Sequence, residues 1–372
     1  MLDEHLGYVA DRKRLERFRA AIARTLKPGD RVADLGCGSG VLGLLCLQAG
    51  ASHVVAIDST AMIEVARETM TRAGLADRCT FIHARSHRAT IAEPVDVVIC
   101  DHVGYFGFDY GVVHTMQDAR ARFLAPGGRA IPGRIRLKTA AVESAAARAK
   151  VDGWLAEGVP REFHWLRRHA ANLKHSVTLP RDTLLGPPSD LGEIDLRADN
   201  PDFLRWNATV HIERDGMLHG LAGWFECELA DGVAMTNSPL SDDRIDRPQA
   251  FLPIEEPVGV RAGDTIDATV MARPEDHLIA WVVEIPSTGR RFSHSTWPAM
   301  PSLPSDLIRS RPGHVPQVSR EGRAAVAVLG YCDGRRTARD IEDAMLRDYP
   351  DLFPTRDATA RFVAHVLGRD TA

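Results

Sequence analysis

The residues of this chain best suited to chemistry are two acids that flank a glycine-rich turn. The stretch 32–58 reads VADLGCGSGVLGLLCLQAGASHVVAID, with Asp34 before the glycines and Asp58 at its end. Apolar residues before the turn predict a strand, the apolar run 41–48 predicts a helix, and the β-branched run 53–57 predicts a second strand. An acid about 20 residues past such a turn accepts hydrogen bonds from ribose hydroxyls. The stretch therefore predicts a βαβ unit that binds a nucleoside.

The acid that precedes the glycines indicates which nucleoside. The turn reads DLGCGSG and lacks the G-x-G-x-x-G spacing of a dinucleotide site. A carboxylate at Asp34 would repel a pyrophosphate at the helix N-terminus, but it suits a cationic ligand. S-adenosyl-L-methionine carries a sulfonium and an ammonium, and the segment resembles the first motif of class I methyltransferases. The alternative is a structural βα turn whose glycines only permit tight packing.

Length and composition limit the number of domains around this turn and the classes of partner that the protein can have. With 372 residues, the chain is long enough for two or three domains. Its net charge is −4, no run of like charges forms a nucleic-acid tail, and no apolar stretch reaches the roughly 18 residues of a membrane span. The six cysteines lack C-x-x-C spacing. We therefore expect no nucleic acid, membrane or metal partner, and a reducing cytoplasm.

Patterns along the chain predict three regions. A charged helix over 3–26 leads into an α/β region that ends at 132–133, and the loop 101–110 follows its fourth strand. Ligands bind at the carboxyl ends of the strands in open α/β sheets. Alternating apolar residues after Arg134 then predict the strands of a β-sandwich or barrel. The insert 151–174 carries large apolar side chains among charges, which favours cover by a second subunit or by its own domain.

Taken together, these elements resemble the protein arginine methyltransferase family over about residues 1–300. The resemblance implies an α/β Rossmann-like methyltransferase domain (1–133), then a β-barrel substrate domain (134–300) interrupted by a dimerisation arm, and hence a homodimer. The resemblance also implies that Arg14 binds the carboxylate of the methionine part of the cofactor and that Ser86 lies near adenine. The predicted cofactor-binding residues are Arg14, Asp34, Gly36, Gly38, Asp58, Ser59 and Ser86.

The loop after the fourth strand carries the candidate catalytic residues Asp101, His102 and Asp109. In the family two glutamates grip the substrate guanidinium, which stays protonated because its pKa exceeds about 12. Asp101 aligns with the first acid, whereas the second is either Asp109 or is replaced by Tyr110. His102 is a reserve base. The T-H-W signature of the family is missing, and its place is taken by the residues 246–248, Asp-Arg-Pro.

The tail, 305–372, lies outside that resemblance. Its segment LGYCDGRRTARDI is similar to PqqD-like winged-helix modules, which bind the leader peptides of ribosomally made precursors. Those modules add the peptide as an extra strand at a sheet edge. Thr337 and Asp340 form a capping-box signature that predicts a helix start. The alternative is a small helical domain that only packs on the rest of the protein.

These predictions favour an S-adenosylmethionine-dependent methyltransferase that modifies a peptide or protein side chain. The resemblance makes arginine the expected acceptor, and the tail suggests a tailoring enzyme of ribosomally made peptides. Two alternatives stay open. One is a small-molecule O- or N-methyltransferase, and the other is a non-catalytic protein that binds S-adenosylmethionine and a partner.

Overall fold

The computed structural model describes residues 2–299 and 303–371. The chain divides into two compact units, Met1–Met300 and Pro301–Ala372. The first contains a parallel sheet followed by antiparallel sheets, and the second is helical. Within the described residues, no helix is long and apolar enough to cross a membrane.

The first half of the larger unit is a five-stranded parallel sheet in the order β3-β2-β1-β4-β5. Its strands are β1 Arg31–Leu35, β2 His53–Asp58, β3 Cys79–His83, β4 Val95–Cys100 and β5 Leu124–Ile131. Its helices are α1 Leu2–Ala10, α2 Arg12–Thr25, α3 Val41–Gln48, α4 Met62–Arg72 and α5 Val112–Arg122. The central strands are buried almost throughout, as is typical of parallel sheets with helices on both faces. The predicted Rossmann-like region is confirmed.

The N-terminal segment forms two helices, where the sequence pattern predicted one. Asp11 stands between α1 and α2, and its side chain accepts a hydrogen bond from the backbone N–H of Arg14, at 3.0 Å. Aspartate at an N-cap satisfies a backbone donor that would otherwise lack a partner. The prediction of a single helix over 3–26 was wrong because the cap starts a new helix at Arg12.

The second half of the larger unit is antiparallel. Strands β6 Arg134–Val142, β7 His175–Val177, β8 Ser189–Asp195, β10 Gly216–Ala230, β11 Val233–Thr236 and β12 Gln249–Val260 form one sheet. Strands β9 Leu204–His211, β13 Thr265–Arg273, β14 Leu278–Ile285 and β15 Arg290–Ser295 form the other. The indole N–H of Trp281 in β14 donates to the carbonyl of Pro253 in β12, at 2.8 Å, and so joins the two sheets. The predicted antiparallel β-domain is confirmed.

One apolar core runs through both halves of this unit. It contains Phe18 of α2, Val98 of β4, Phe106 of the following loop, Leu137 of β6 and Trp281 of β14, all fully buried. The loop 101–110 therefore lies between the parallel sheet and the barrel, because its aromatic side chains pack on barrel residues. Gly223 of β10 makes room for this contact, since a Cβ there would lie 2.3 Å from the Phe106 ring.

The predicted arm is a helical excursion between β6 and β7. It contains α6 Ala145–Asp152 and α7 Leu166–Ala170, joined by two short 3-10 turns. Phe163 and Trp165 are 50% and 54% exposed in the single chain, and Trp154 is 38% exposed. Large aromatic side chains clustered on a surface mark an interaction site.

The second unit consists of α8 Pro304–Arg309, α9 Arg320–Gly330, α10 Ala338–Asp348 and α11 Arg356–Asp370. A small core of its own holds the last three helices together, and the capping box of Thr337 and Asp340 begins α10 as predicted. The predicted helical region is confirmed. Residues 303–371 contain no strand, so the winged-helix form of the prediction is corrected. A peptide therefore finds no sheet edge in this stretch to which it could add.

Candidate functional site

A cavity of about 1060 Å³ opens at the carboxyl ends of β1, β2 and β4. Its wall combines the N-terminal helices, the glycine turn, the start of the loop 101–110 and the barrel turn 274–277. Seven residues predicted to bind the cofactor line this cavity: Arg14, Asp34, Gly36, Gly38, Asp58, Ser59 and Ser86. Of the three candidate catalytic residues, Asp101 and His102 line it, whereas Asp109 is not among its lining residues.

The glycine turn forms the floor of the cavity. Gly36 and Gly38 have φ values of 65° and 53°, in the left-handed region that favours glycine. A Cβ on Gly36 would lie 2.0 Å from Nε2 of His102. Glycine is therefore required at this position both by the backbone conformation and by the close approach of the imidazole.

Asp58 closes the turn as well as facing the cavity. One carboxylate oxygen accepts the N–H of Gly38 at 2.8 Å, and the other accepts the N–H and the hydroxyl of Thr60, at 2.8 and 2.7 Å. A carboxylate accepts roughly four hydrogen bonds. Asp58 therefore retains about one site for a ribose hydroxyl, where the sequence pattern predicted contacts to both hydroxyls.

Asp34 lies beneath the turn and is almost fully buried. Its Oδ2 accepts the N–H of Gly43 in α3, at 2.8 Å. Burial raises the pKa of Asp34 to about 7, although the Gly43 N–H and the charge of Arg14 oppose this shift. A nearby cation would favour the ionised carboxylate. The carboxyl group is therefore poised to ionise when a cationic ligand enters.

Asp101 is held by two buried arginines. Its Oδ2 accepts from Nε of Arg14 at 2.5 Å and from Nη2 of Arg247 at 3.2 Å, and the three side chains are at most 9% exposed. Its Oδ1 is buried and has no hydrogen-bond partner within the described residues. Burial opposes ionisation of Asp101, but the charges of Arg247 and Arg14 bring its pKa below the usual range. The site thus contains an ionised carboxylate with one free oxygen.

The carboxylate of Asp109 makes contacts within the loop 101–110 and with Lys174, and it is not part of the cavity lining. Its Oδ2 accepts the backbone N–H groups of Tyr105, at 2.9 Å, and of Phe106, and its Oδ1 pairs with the ammonium of Lys174. Lys174 stands directly before β7, and its ammonium lies 3.9 Å from the centre of the Tyr105 ring. The sequence-based role of Asp109 in binding the acceptor is therefore not supported by its position, because internal donors surround its carboxylate.

His102 lies between the glycine turn and Asp101. Burial lowers the pKa of its imidazole, so the ring is neutral near pH 7. A neutral imidazole has one donor and one acceptor nitrogen. It can therefore orient a polar ligand group, whereas its lowered pKa makes it a weaker base than the sequence pattern predicted.

Several residues of the site were missed at the sequence level. Arg247 occupies the place of the T-H-W signature, where the sequence pattern indicates only that the signature is missing. Asn237 donates to the carbonyl of Tyr105 at 2.8 Å and ties the loop 101–110 to the barrel. His277, in the barrel turn at the cavity rim, has a φ of 54°. No local spacing relates these positions to the glycine turn, and only the Asp-Arg-Pro run offered a signal.

Comparison with known proteins agrees with the geometry of the cavity. Residues 32–128, which contain the glycine turn and Asp101, match a family described as a methyltransferase domain. The Trypanosoma brucei PRMT1 enzyme-prozyme heterotetrameric complex with AdoHcy has the same fold, with a TM-score of 0.71 and 19% identity over 78% of this chain and 96% of that one. The chain is an S-adenosylmethionine-dependent methyltransferase.

Curated relatives of this methyltransferase are arginine methyltransferases. Protein arginine N-methyltransferase 1 of Schizosaccharomyces pombe is 25% identical over 251 residues, which cover 66% of this chain and 74% of that protein. An arginine N(omega)-methyltransferase of Streptomyces achromogenes subsp. streptozoticus is 26% identical over 271 residues, 70% of this chain and 74% of its own length. The methyltransferase is thus similar to the protein arginine methyltransferases, as the motifs predicted.

The lining of the cavity fits S-adenosylmethionine. Asp34 and Asp58 provide buried carboxylates on either side of the turn, and Arg14 provides a buried guanidinium. The first pair suits the ammonium and a ribose hydroxyl of the cofactor, and Arg14 suits its carboxylate. Gly38 lets the ring of His5 in α1 approach the floor of the cavity, since a Cβ there would lie 2.7 Å from that ring.

Proposed function

We propose that this methyltransferase transfers a methyl group to a guanidinium nitrogen of arginine in a peptide or protein. The observation that carries the proposal is the carboxylate of Asp101, which is ionised, buried at the cofactor cavity and free at Oδ1. The curated relatives named above, which methylate arginine according to their names, support this acceptor.

Asp101 would act by holding and orienting the acceptor. S-adenosylmethionine supplies an electrophilic methyl group on its sulfonium. A guanidinium stays protonated at neutral pH, so its nitrogen is a poor nucleophile until its charge is drawn away from that nitrogen. A carboxylate that accepts one guanidinium N–H concentrates positive charge at that N–H and positions the acceptor for in-line attack.

The test is methyl transfer from methyl-labelled S-adenosylmethionine to arginine-containing peptides, with two matched variants. Asp101→Asn should lower kcat by about 10- to 150-fold, the equivalent of one charge-assisted hydrogen bond of about 1.5–3 kcal/mol. Cofactor affinity should stay close to that of the wild type. Asp109→Asn, on the same loop but outside the cavity lining, should change kcat only slightly in the folded protein.

Two results would contradict the proposal. Transfer at the wild-type rate by Asp101→Asn would remove this carboxylate from the reaction. Labelled product on lysine, histidine or a hydroxyl, with none on arginine, would exclude the guanidinium. Hydrolysis of the labelled product and separation of its amino acids identifies the acceptor.

Free arginine is the second candidate acceptor. The Streptomyces relative is named for arginine itself and matches a larger share of this chain than the S. pombe relative does. A free amino acid would place its own carboxylate and ammonium inside the cavity. The backbone of a bound peptide, by contrast, must continue out of the cavity through its opening. Comparison of kcat/KM for free arginine, N-acetylarginine amide and an arginine peptide decides between them, because only a site for the free amino acid discriminates against the capped compound.

We also propose a homodimer that forms through the arm 151–174. The exposed Phe163 and Trp165 support it, as does the assembly named for the Trypanosoma relative. Trp165→Glu should turn a dimer into a monomer in light scattering at micromolar concentration. Phe203→Glu is the matched control, since Phe203 is similarly exposed, at 52%, but lies outside the arm.

Three further expectations complete the proposal. The cofactor domain is 1–133 and the substrate domain 134–300, a division supported by the end of the parallel sheet at Ile131. The tail from 305 recruits a precursor peptide in the manner of a tailoring enzyme, through its helices instead of a sheet edge. The protein acts in the cytoplasm, which its six free cysteines support.

A further inference from the structure

The carboxylate of Asp101 has two oxygens with different surroundings. Oδ2 accepts from both Arg14 and Arg247. Oδ1 is buried without a partner among residues 2–299 and 303–371, while the residue lines the cavity. Buried polar atoms are almost always paired, so an orphaned oxygen at a cavity indicates a ligand atom. The two guanidinium groups therefore determine which oxygen is left for the acceptor.

The two arginines come from distant parts of the chain and make different second contacts. Arg14, in α2, donates to the carbonyl of Tyr8 at 2.9 Å. Arg247, between β11 and β12, donates through Nη1 to the carbonyl of Gly104 at 3.2 Å. Arg247 thus bridges two residues of the loop 101–110, and its side chain is only 8% exposed. A planar guanidinium spans such a pair with donors held in a fixed fork, whereas the compact ammonium of a lysine lacks that geometry.

The charges around Asp101 indicate that Arg247 stays paired with its carboxylate when the cofactor is bound. Two buried guanidinium groups face one carboxylate, so the cluster carries an excess positive charge that would oppose a cationic acceptor. Arg14 lines the cavity, where the carboxylate of a bound cofactor would balance its charge. Arg247 has no other acidic partner within the described residues.

We propose that Arg247 is a positioning residue of the transfer reaction, which holds Oδ2 of Asp101 so that Oδ1 faces the acceptor. The inference rests on the proposed role of Asp101. Arg247 does not itself line the cavity, so it acts through that carboxylate. The segment between β11 and β12 thereby contributes to a site whose other parts belong to the parallel sheet, the N-terminal helices and the barrel turn 274–277.

The proposal predicts a change in pH dependence. Burial disfavours the ionised form of Asp101, and Arg247 together with Arg14 brings its pKa below the usual range. The other titratable groups around it are Asp34 at the end of β1, Cys100 at the end of β4, the neighbouring His102, and Cys227 of β10. Removal of the Arg247 charge should raise the pKa of Asp101, and the acid limb of the kcat profile should move to higher pH.

The experiment compares Arg247→Gln, Arg247→Lys and Arg244→Gln. Arg247→Gln should lower kcat about tenfold or more, with the acid limb displaced upward by about one pH unit, as expected when one favourable charge is lost. Arg247→Lys keeps the charge, so the limb should stay in place while the loss of the bridge lowers kcat. Arg244→Gln is the control, because Arg244 lies in the same segment and donates to the carbonyl of Pro239, away from Asp101.

The outcomes separate this inference from the proposed function. An unmoved acid limb in Arg247→Gln, with transfer still lost in Asp101→Asn, overturns the role of Arg247 alone. If no arginine substrate is methylated, the Asp101 carboxyl is titrated by ¹³C NMR in the wild type and in Arg247→Gln without an acceptor. An unchanged pKa overturns the inference, and a raised pKa supports it. If Arg247→Gln fails to fold, wild-type kcat in Arg247→Lys overturns the bridging role.

Discussion

The two ends of the cavity are built in different ways. At the cofactor end, Asp34, the glycine turn and Asp58 all lie within one βαβ unit, and their contacts join residues close in sequence. At the acceptor end, Asp101 depends on Arg14 and Arg247, which are 87 and 146 positions away. The floor of the cofactor end therefore depends on one local unit, with Arg14 added from α2, whereas the acceptor end depends on contacts with both the N-terminal helices and the barrel.

The largest expected effect tests a long-range contact of the loop 101–110, which carries Asp101 of the acceptor end. Burial lowers the pKa of Lys174 to about 7, so the lysine is mostly charged at pH 6. At that pH Lys174→Met leaves Asp109 buried without its cation, and such a loss costs about 3–5 kcal/mol. The control Lys138→Met removes a pair with Asp190, which is 78% exposed, and should cost about 0–1 kcal/mol. Denaturant unfolding measures both. Equal losses of unfolding free energy in the two variants would mean that the contact of Lys174 stabilises the protein no more than a surface ion pair does.

At the cofactor end, Asp58→Ala should weaken S-adenosylmethionine binding by about 1–3 kcal/mol, because the turn N–H of Gly38 and the ribose lose their acceptor. Thr60→Val removes the hydroxyl donor to Asp58 and the acceptor of the Met62 N–H, but keeps the Asp58 carboxylate, and should have a smaller effect. Calorimetry measures both variants. An unchanged affinity in folded Asp58→Ala would exclude Asp58 from the cofactor site.

A smaller effect concerns pH at the same end. Asp34, whose pKa burial raises to about 7, is mostly protonated in the empty protein below that pH. A cationic cofactor prefers the carboxylate, so its affinity should fall by up to about tenfold per pH unit as the pH drops below 7. In Asp34→Asn this dependence should vanish. The same slope in both proteins would assign the linked proton to another group.

The smallest expected effect lies outside the cavity. Deletion of the residues after Pro304 should raise KM for the true peptide substrate several-fold while cofactor binding stays intact, because the deleted unit has its own core. A short arginine peptide without a leader should show no change. Equal KM for the true substrate with and without the tail would contradict its recruitment role.

The contrast between the two ends also explains what could be predicted from the sequence. The helix 41–48 begins and ends at the predicted residues, because the apolar run and the glycine turn before it are local signals. The pairing of Asp101 with Arg247 has no such signal, since it depends on how the barrel packs on the loop. Asp109 shows the same limit: its acid type suggested a clamp, but nearby N–H groups bind its Oδ2 and Lys174 lies against its Oδ1.

The core shared by the parallel sheet and the barrel has a consequence for folding. Phe106 packs into the space above Gly223, and Gly107 approaches Leu137 and Ile135 of β6 so closely that a Cβ would lie 2.7 Å from the leucine. Neither the parallel-sheet half nor the barrel half of this unit can be exchanged for that of a relative unless these contacts are repacked. Residues 2–299 should therefore melt in one calorimetric transition, whereas the small core of the C-terminal helices allows a second transition at a different temperature.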